Sequence, residues 1–454
     1  MRNLVLLIVA AALAAGAQFR AGRAAVDITP PVGVPMAGYY YVRLSEGVHD
    51  PLHAKAIAIE EDGVKAALVA VDLVGIPRPV VDAARAEIGK TTGVPPANVM
   101  ISAIHSHTGP DVYERLMGAK PETKRLIDAY MAALPGHIAE CVRRAEQDLQ
   151  PARVRMATGR EDSVSFMRRY YMKDGSIGWN PGKLNPKILG PVGTIDPEIP
   201  IAEFETTAGK PLAIYVNFAC HLDTTGGMRF SADYAYTLSR LLAEIKGADV
   251  LTLFTIGAAG NINHIDVKSS DPQTSPQEAE RIGTILAGDV LKAWRHLVEI
   301  DPAPLRVSRE MVTLDLAKHK PEDVAAARGI VARYAQPNAD PFYARVNAFK
   351  VLELEERHGE PIQAEVQAIT LGRQLAWVGM PGEIFVELGK ALKIASPFPR
   401  TILAELANGS IGYVPDLRAY PQGAYEVVSS RVAPGSGERM VDSAIHQLIA
   451  MYPR

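Results

Sequence analysis

The 454-residue sequence lacks the features that mark disulfide-rich scaffolds, nucleic-acid-binding proteins and repeat proteins. Its two cysteines, Cys141 and Cys220, are too few for a disulfide framework, and their spacing matches no zinc ribbon. The formal net charge is −3 and no run of lysine or arginine stands out, so no nucleic-acid partner is expected. Internal repeats and low-complexity tracts are absent. The Gly-x-Ser-x-Gly elbow of a serine hydrolase is absent too, the nearest sequence being Gly435-Ser436-Gly437.

Residues 1–17 have the pattern of a secretory signal peptide. Arg2 supplies a positive start, Leu4–Ala14 is apolar, and residues 15–17 have the small-x-small pattern of a cleavage site. The apolar run is shorter than the ~20 residues that a spanning helix needs. We therefore expect a cleaved signal peptide rather than an uncleaved anchor. The mature chain would be secreted or periplasmic and would have no transmembrane segment.

Short β-rich apolar runs alternate with amphipathic segments along the rest of the chain. This alternation predicts an α/β fold with layered mixed β-sheets flanked by helices. No shift in composition marks a boundary, so residues 18–454 are expected to form a single large catalytic domain. The Pro/Gly-rich stretch Asn180–Pro200 predicts a long surface loop, and Lys318–His358 is charged, helical and without chemical motifs. The predicted strands are Lys65–Val74, Val99–Ile104, Leu212–Cys220, Asp249–Ile256 and two within Ala364–Val378, and the predicted helices are Val80–Ile88, Leu126–Arg144, Ala235–Ile245, Glu278–His296 and Ile384–Ile394.

Polar residues follow several of these apolar runs. His105 and His107 follow one run, His221 follows another, the Gly-Asn sequence of residues 257–264 follows a third, and Glu383 follows a fourth. In layered α/β sheets, ligands collect beyond the carboxyl ends of the strands. We therefore expect these groups to converge on one rim of the sheet.

Each of these residues also has a purely structural interpretation. Two histidines at i and i+2 point to opposite sides of a strand, which would leave one buried and one exposed. The Gly-Pro pair that follows His107 favours a strand-to-loop transition instead, where both rings can face one cavity. His221 suits a hydrogen-bonded core histidine, Glu383 suits the first turn of a helix, and Tyr413 suits an ordinary half-buried aromatic.

Taken together, the motifs resemble the catalytic domain of the neutral (non-lysosomal) ceramidase family. They occur in family order from about Phe19 to Glu426 and cover nearly the whole mature chain. The matching segments are Gly22–Pro30, Gly38-Tyr39, Gly47–Ala54, Ser102–Pro110, Phe218–His221, Pro381–Glu383 with Gly389, and Ile411–Pro415 with Tyr420 and Tyr425-Glu426.

The resemblance implies a zinc site and roles for the residues around it. It implies that a single Zn²⁺ is bound by His105, His221, Glu383 and Tyr413. His107 would be the histidine beside the metal that does not bind it. Arg168, with Arg169 as the alternative assignment, and Tyr425 would contact the reacting group. A bound zinc ion activates water for attack on a carbonyl, and a positioned histidine can relay the proton.

The chain departs from the family pattern in two places. The family's Gly-Asp-x-Ser-Pro-Asn loop is replaced by residues 258–263, which contain no serine. This favours a mechanism that uses metal and water, and it weakens the expectation of a long-chain ceramide pocket. The C-terminal sandwich domain of larger members is expected to be absent, since the sequence stops soon after the tyrosine motif.

The function expected from the resemblance is secreted, zinc-dependent hydrolysis of the N-acyl bond of ceramide or a related N-acyl lipid, with transient contact at a membrane surface. Two alternatives stay open: the same metal site acting on a different N-acyl or ester substrate, and a non-catalytic envelope binding protein on the same fold. Among other residues, Asp72 is a candidate for orienting a ligand histidine, with a turn or helix cap as the alternative. Asn261 and Asn263 suit substrate contact or loop stabilisation. Cys220 suits a buried apolar thiol, and His264 has no assigned role.

Overall fold

The computed structural model describes residues 18–113, 120–333 and 340–453. The predicted signal peptide lies outside these ranges. Across the described residues, no helix combines the length and the apolar composition needed to cross a membrane.

The helices and strands alternate along the chain as the sequence predicts. The α-helices in the described ranges are α1 (Arg78–Thr91), α2 (Pro121–Gln147), α3 (Tyr234–Lys246), α4 (Pro276–Trp294), α5 (Pro321–Ala332), α6 (Phe342–Glu356), α7 (Val386–Ala395), α8 (Tyr425–Ser429) and α9 (Ser436–Met451). The strands are β1 (Arg20–Asp27), β2 (Pro35–Met36), β3 (Arg43–Leu44), β4 (Gly47–Val48), β5 (His53–Glu61), β6 (Val64–Val71), β7 (Val99–Ala103), β8 (Gln150–Arg160), β9 (Phe166–Met167), β10 (Arg169–Met172), β11 (Ile177–Trp179), β12 (Ile188–Pro191), β13 (Glu198–Thr206), β14 (Pro211–Phe218), β15 (Arg229–Phe230), β16 (Leu251–Ile256), β17 (Ile262–Asn263), β18 (Val298–Ile300), β19 (Leu305–Leu314), β20 (Ile362–Leu371), β21 (Leu375–Gly379), β22 (Glu383–Ile384), β23 (Arg400–Ala404) and β24 (Tyr413–Val414).

Two mixed sheets form the body of the molecule, which confirms the predicted layered α/β fold. The larger sheet has the order β16-β14-β13-β8-β1-β5-β6-β7, with β18 paired to β8. Only its end pairs, β14–β16 and β6–β7, are parallel. The smaller sheet has the order β19-β20-β21-β23, and its last pair is parallel. The helices α1 to α4 pack against the larger sheet or one another, and α9 packs on β19 and β20.

The two sheets pack against each other through a shared apolar core. The rings of Tyr215 in β14 and Trp377 in β21 lie 5.7 Å apart, and both side chains are fully buried. Burying aromatic rings of this size is a large stabilising contribution. Because of this packing, the carboxyl ends of β7, β14, β21 and β23 can contribute residues to one site.

The stretch Asn180–Pro200 is a more regular structure than the predicted loop. Within it, β12 pairs with β10, which also pairs with β11, and β13 begins at Glu198. The prediction missed these short strands because Pro and Gly interrupt them, and such residues ordinarily mark turns.

Candidate metal centre and active site

The His-x-His motif lies in the loop after β7. His105 has a left-handed φ of 73°, which turns the chain out of the strand. The backbone N–H groups of His105 and Ser106 both donate to the carbonyl of Leu73, at 2.9 and 3.1 Å. A bridge between Ser106 and Leu222 holds this loop against the segment after β14. Both histidine rings therefore face one space, with centroids 4.7 Å apart.

Three further segments bring His221, Glu383 and Tyr413 to the same space. The ring of His221 lies 4.5 Å from that of His105. Glu383 Oε2 lies 3.4 Å from His105 Nε2 and 3.3 Å from His221 Nε2. Glu383 in β22 is paired directly with Tyr413 in β24, so the two residues are neighbours across a parallel pair. The structure thus brings together the four residues that the resemblance assigns to zinc.

The hydrogen bonds determine which ring nitrogens carry lone pairs. His105 Nδ1 lies 2.6 Å from the carbonyl oxygen of Val74, which can only accept, so Nδ1 carries the proton and Nε2 the lone pair. Arg168 Nη1 lies 3.1 Å from His221 Nε2, and a guanidinium can only donate, so this Nε2 is also an acceptor. His107 Nε2 lies 3.2 Å from the same nitrogen, His105 Nε2.

The resulting group of acceptors fits a cation. Glu383 Oε2 is buried and has no hydrogen-bond partner among the described residues, although it faces two imidazole nitrogens. Two lone-pair nitrogens and a carboxylate oxygen with no proton between them are the donor set that zinc prefers. The ring nitrogens of His105, His107 and His221 also lie within 4.8 Å of one another, so His107 lies close enough to join a metal site.

The pKa shifts keep these groups in the states that metal binding requires. Burial, with the charge of Arg168, lowers the pKa of His221 to about 4, so the ring is neutral at pH 7. Burial and the neighbouring His105 hold the pKa of His107 well below its usual value. Burial alone would raise the pKa of Glu383, but His105 and His221 outweigh it and hold the pKa well below the usual range.

Arg168 is the arginine that reaches the site, as assigned from the resemblance. Its Nε donates to Glu426 Oε1 at 2.9 Å, and its Nη2 donates to the carbonyl of Gly260 at 2.5 Å. Arg169 donates to the other oxygen of Glu426 at 2.8 Å and to the carbonyl of Gly423 at 3.0 Å, so it faces away from His221. The buried Glu426 therefore holds both arginines and leaves Arg168 Nη1 directed into the site.

Tyr413 and Tyr425 pack beside this arginine. Their rings lie 5.2 Å apart, and the Arg168 guanidinium lies 5.3 Å from the Tyr413 ring centre and 5.9 Å from that of Tyr425. Burial raises the pKa of both phenols well above the usual value. Tyr425 therefore keeps its proton and can donate a hydrogen bond to a developing negative charge.

A cavity of about 320 Å³ opens over these residues. It is lined by His105, His107, Glu383, Tyr413 and Tyr425, and also by residues from the Lys318–His358 region, where no chemical motif was predicted. In that region, α6 packs against the site: Phe342 stacks on Trp179 with ring centres 5.4 Å apart, and Trp179 lies 4.4 Å from Tyr425. In the sequence, the aromatic residue Phe342 at the start of α6 was the one signal that could have predicted this contact.

Sequence reasoning also missed residues that position the site. Arg43 donates to the carbonyls of His107, at 2.6 Å, and Gly227, at 2.7 Å, so it fixes the backbone of the His-x-His loop. Buried Glu405 accepts from the backbone N–H of Ala259, at 3.1 Å, and of Ile384, at 2.7 Å, which ties the Gly-Asn loop to β22. A single arginine or glutamate gives no pattern that would reveal such contacts.

Asp72 and the two asparagines of residues 258–263 form hydrogen bonds that stabilise the structure, and they do not face the residues that could bind a metal. Asp72 accepts from the backbone N–H of His53 at 2.8 Å, whereas His105 Nδ1 donates to the carbonyl of Val74. The expectation that Asp72 orients a ligand histidine is therefore wrong for His105. Asn261 donates to Glu387 at 2.8 Å and accepts from the N–H of Val386. Asn263 donates to Asn180 at 3.1 Å. These contacts favour the loop-stabilising interpretation.

His264 and Cys220 are both buried near the site. His264 Nδ1 lies 2.9 Å from Asp223 Oδ1, and the charge of Asp223 outweighs burial and raises the pKa of His264. Cys220 is a free, buried thiol, and burial raises its pKa well above its usual value. This confirms the prediction of a buried apolar thiol.

Comparison with known proteins supports the fold and the resemblance seen in the sequence. Residues 19–173 match the family described as neutral/alkaline non-lysosomal ceramidase, N-terminal. The fold is similar to that of the neutral ceramidase from Pseudomonas aeruginosa, with a TM-score of 0.73 and 20% identity over 96% of this chain and 76% of that chain. A ceramidase complexed with C2 gives a TM-score of 0.74 at 20% identity, covering 96% and 75%. A search of curated proteins finds no match. The match over residues 19–173 and the similar fold confirm the resemblance to the neutral/alkaline non-lysosomal ceramidase family that the motifs predicted.

Proposed function

We propose that this protein is a zinc-dependent amide hydrolase of the ceramidase type, which cleaves the N-acyl bond of ceramide or a related N-acyl lipid with water. The observation that carries the proposal is the convergence of three acceptor atoms: His105 Nε2 and His221 Nε2 lie 3.4 and 3.3 Å from the same carboxylate oxygen, Glu383 Oε2. The match of residues 19–173 to the ceramidase family supports the reaction class.

The residues fit a zinc ion with an open position for water. His105, His221 and Glu383 would hold the metal, and Tyr413, paired with Glu383, would supply a phenol oxygen. When bound, zinc acts as a Lewis acid and lowers the pKa of water, so that a nucleophile is available at neutral pH.

The protein's own groups handle the proton and the developing charge. His107 is neutral and lies against His105, so it can take a proton from the attacking water and return it to the leaving amine. Arg168 Nη1 and the protonated phenol of Tyr425 can donate to the oxygen of the reacting carbonyl. Donors arranged in advance in a buried site typically contribute several kcal/mol of transition-state stabilisation. The guanidinium is held by Glu426 before the substrate arrives.

The experiment combines metal analysis with a hydrolysis assay of purified protein. The wild type is expected to carry about one zinc ion per chain and to release fatty acid from an N-acyl substrate. His105→Ala and Glu383→Ala should lose both. His319→Ala is the matched control, because this histidine lies beside Glu355, outside the site. Full retention of zinc in both site variants would overturn the proposal.

Secretion is part of the proposal and depends on residues outside the described ranges. The support is the sequence pattern of residues 1–17. N-terminal sequencing of protein recovered from the medium or periplasm should give a start near Gln18. A start at Met1 in a membrane fraction would contradict it.

A second candidate keeps the metal site but changes the substrate to another N-acyl or ester compound. Two observations favour it: residues 258–263 lack the family's serine, and the cavity of about 320 Å³ lies at the small end of the range for drug-sized ligands, roughly 300–1,000 Å³. Release of fatty acid from ceramide at a rate well above that from shorter N-acyl compounds would contradict this candidate.

A further inference from the structure

The cavity beside the candidate metal centre has charged side chains in one part of its wall. Glu353, Arg357 and Arg431 line it together with Tyr413 and Tyr425. Arg431 is buried, with 9% of its surface exposed, whereas Arg357 is exposed. An alkyl chain gains nothing from such groups, because burying charge beside it has a cost in solvation. The wall therefore points to a substrate with a polar or charged end.

The contacts of Arg431 leave one nitrogen of its guanidinium, Nη2, available to a ligand. Its Nε donates to Glu353 Oε2 at 2.6 Å, and its Nη1 donates to the carbonyl of Ser429 at 2.9 Å. The guanidinium also packs on Gly412, where an added Cβ would lie 2.8 Å from Nη1. Its Nη2 donates to no atom of the described residues. Gly412 precedes Tyr413, so this buried donor lies beside the candidate metal centre.

The charges on this wall favour an anion. Arg431 and Arg357 carry two positive charges and Glu353 one negative charge, so these three side chains have a net charge of about +1 at pH 7. The other charged residues of the cavity lining, Arg43, Asp111 and Glu383, make the lining as a whole neutral. Glu353 contacts Arg431 at Nε, at 2.6 Å. A guanidinium nitrogen that donates to no protein atom is well suited to form a charge-assisted hydrogen bond to a carboxylate.

We propose that Arg431, assisted by Arg357, forms an anion-binding subsite, and that the substrate is an N-acyl compound with a carboxylate, of the N-acyl amino acid class. This inference rests on the proposed function, since the subsite and the candidate metal centre share one cavity. In the reaction, the oxygen of water bonds to the acyl carbon, the C–N bond breaks, and the nitrogen takes a proton. The products are a fatty acid and a free amino acid.

The test compares two amides that share the acyl group and differ in charge: N-octanoylglycine and N-octanoylethanolamine. The measured quantity is the ratio of their kcat/KM values. In the wild type the glycine compound should be preferred by about tenfold or more, the range expected for a hydrogen-bonded ion pair. A wild type that prefers the ethanolamine compound would overturn the subsite.

Three variants separate anion binding from a structural role of Arg431. Arg431→Met should lower the ratio about tenfold or more. Glu353→Gln removes the internal counter-ion and should raise the ratio. Arg439→Met is the matched control, because this arginine lies on α9 and pairs with Asp315, and the ratio should stay unchanged. If Arg431→Met lowers kcat/KM for both amides equally, Arg431 only tethers α6 and the proposal fails.

Two further measurements keep the outcomes distinct. If Arg431→Met does not fold, Arg431→Lys and Arg357→Met should each still lower the ratio, and an unchanged ratio in both overturns the subsite. If the wild type hydrolyses neither amide and holds no zinc, the proposed function fails. Calorimetric titration with each of the two amides then still tests the subsite. Loss of N-octanoylglycine binding in the Arg431 variant supports the subsite, and equal binding of the two amides to the wild type overturns it.

Discussion

Replacing Glu426 by glutamine should strongly destabilise the protein. Its two oxygens accept from Arg168 Nε at 2.9 Å and from Arg169 Nη1 at 2.8 Å, and at most 3% of any of the three side chains is exposed. Each contact corresponds to roughly 6 kcal/mol of Coulomb attraction at an effective dielectric constant of about 20. Much of this attraction is offset by the desolvation of the ions, but removing one partner leaves buried charge uncompensated. The expected loss is about 3–5 kcal/mol.

Urea unfolding measures this loss, with Glu244→Gln as the matched control. Glu244 accepts from Arg240 at 2.8 Å, almost the same distance, but more than a third of both side chains is exposed. Solvent screening should limit its cost to about 0.3–0.5 kcal/mol. The comparison uses the shift of the midpoint at a constant slope. If Glu426→Gln costs less than about 1 kcal/mol, the buried triad contributes no more to stability than an exposed ion pair, which refutes the prediction.

The remaining predictions concern pH and backbone geometry. Burial, opposed by hydrogen bonds from Ser231 and Ala232, raises the pKa of Asp50 to about 7 from 3.8. The folded state therefore holds a proton that the unfolded chain releases, so stability should fall by up to about 4 kcal/mol as the pH rises from about 4 to 7. Asp50→Asn should remove this dependence in urea titrations, and an unchanged pH profile would contradict the assignment. Gly38 has a φ of 98°, and an added Cβ would lie 2.6 Å from the Cβ of His107. Gly38→Ala should therefore lower kcat/KM by about tenfold or more, because it displaces the proton-transfer histidine. Gly63 has a φ of 76° and open space around it, so Gly63→Ala is the control that shows the effect of backbone strain alone on kcat/KM. Equal activities of the two variants would argue against this role of Gly38.

The parts of the fold that the sequence predicts are those where hydrophobic runs and turns agree. The buried strands β6, β7, β14 and β16 are continuous apolar runs, and each lies where it was expected. The convergence of His105, His221 and Glu383 follows from their positions just beyond strands. The strands β8 and β13 were missed for a physical reason. Arg155 of β8 pairs with Glu203 of β13 at 2.5 Å, so charged cross-strand pairs replace the apolar alternation that predicts a strand.

The helix α6 shows why the cavity wall could not be predicted. Its buried residues include Val346, Ala348 and Val351, which do not lie on a single helical face. The helix contacts α5 and α8, and its residues also line the cavity, so apolar and charged positions are distributed around it. A helix with partners on several sides has no clear amphipathic pattern. Its contribution to the site depends on tertiary packing, which local periodicity does not contain.

The contacts of Arg168 connect the stability of the fold to the chemistry of the site. Two of its nitrogens are fixed, Nε by Glu426 and Nη2 by the carbonyl of Gly260. Only Nη1 faces the reacting centre, where it donates to His221 Nε2, the same atom that a zinc ion would use. A metal at that nitrogen must displace this hydrogen bond, because one lone pair cannot serve both partners. The freed N–H would then remain in place, held by the other two nitrogens, as a donor for the oxygen of the substrate carbonyl. The buried ion pair with Glu426 therefore both stabilises the protein and orients Arg168 for its proposed role.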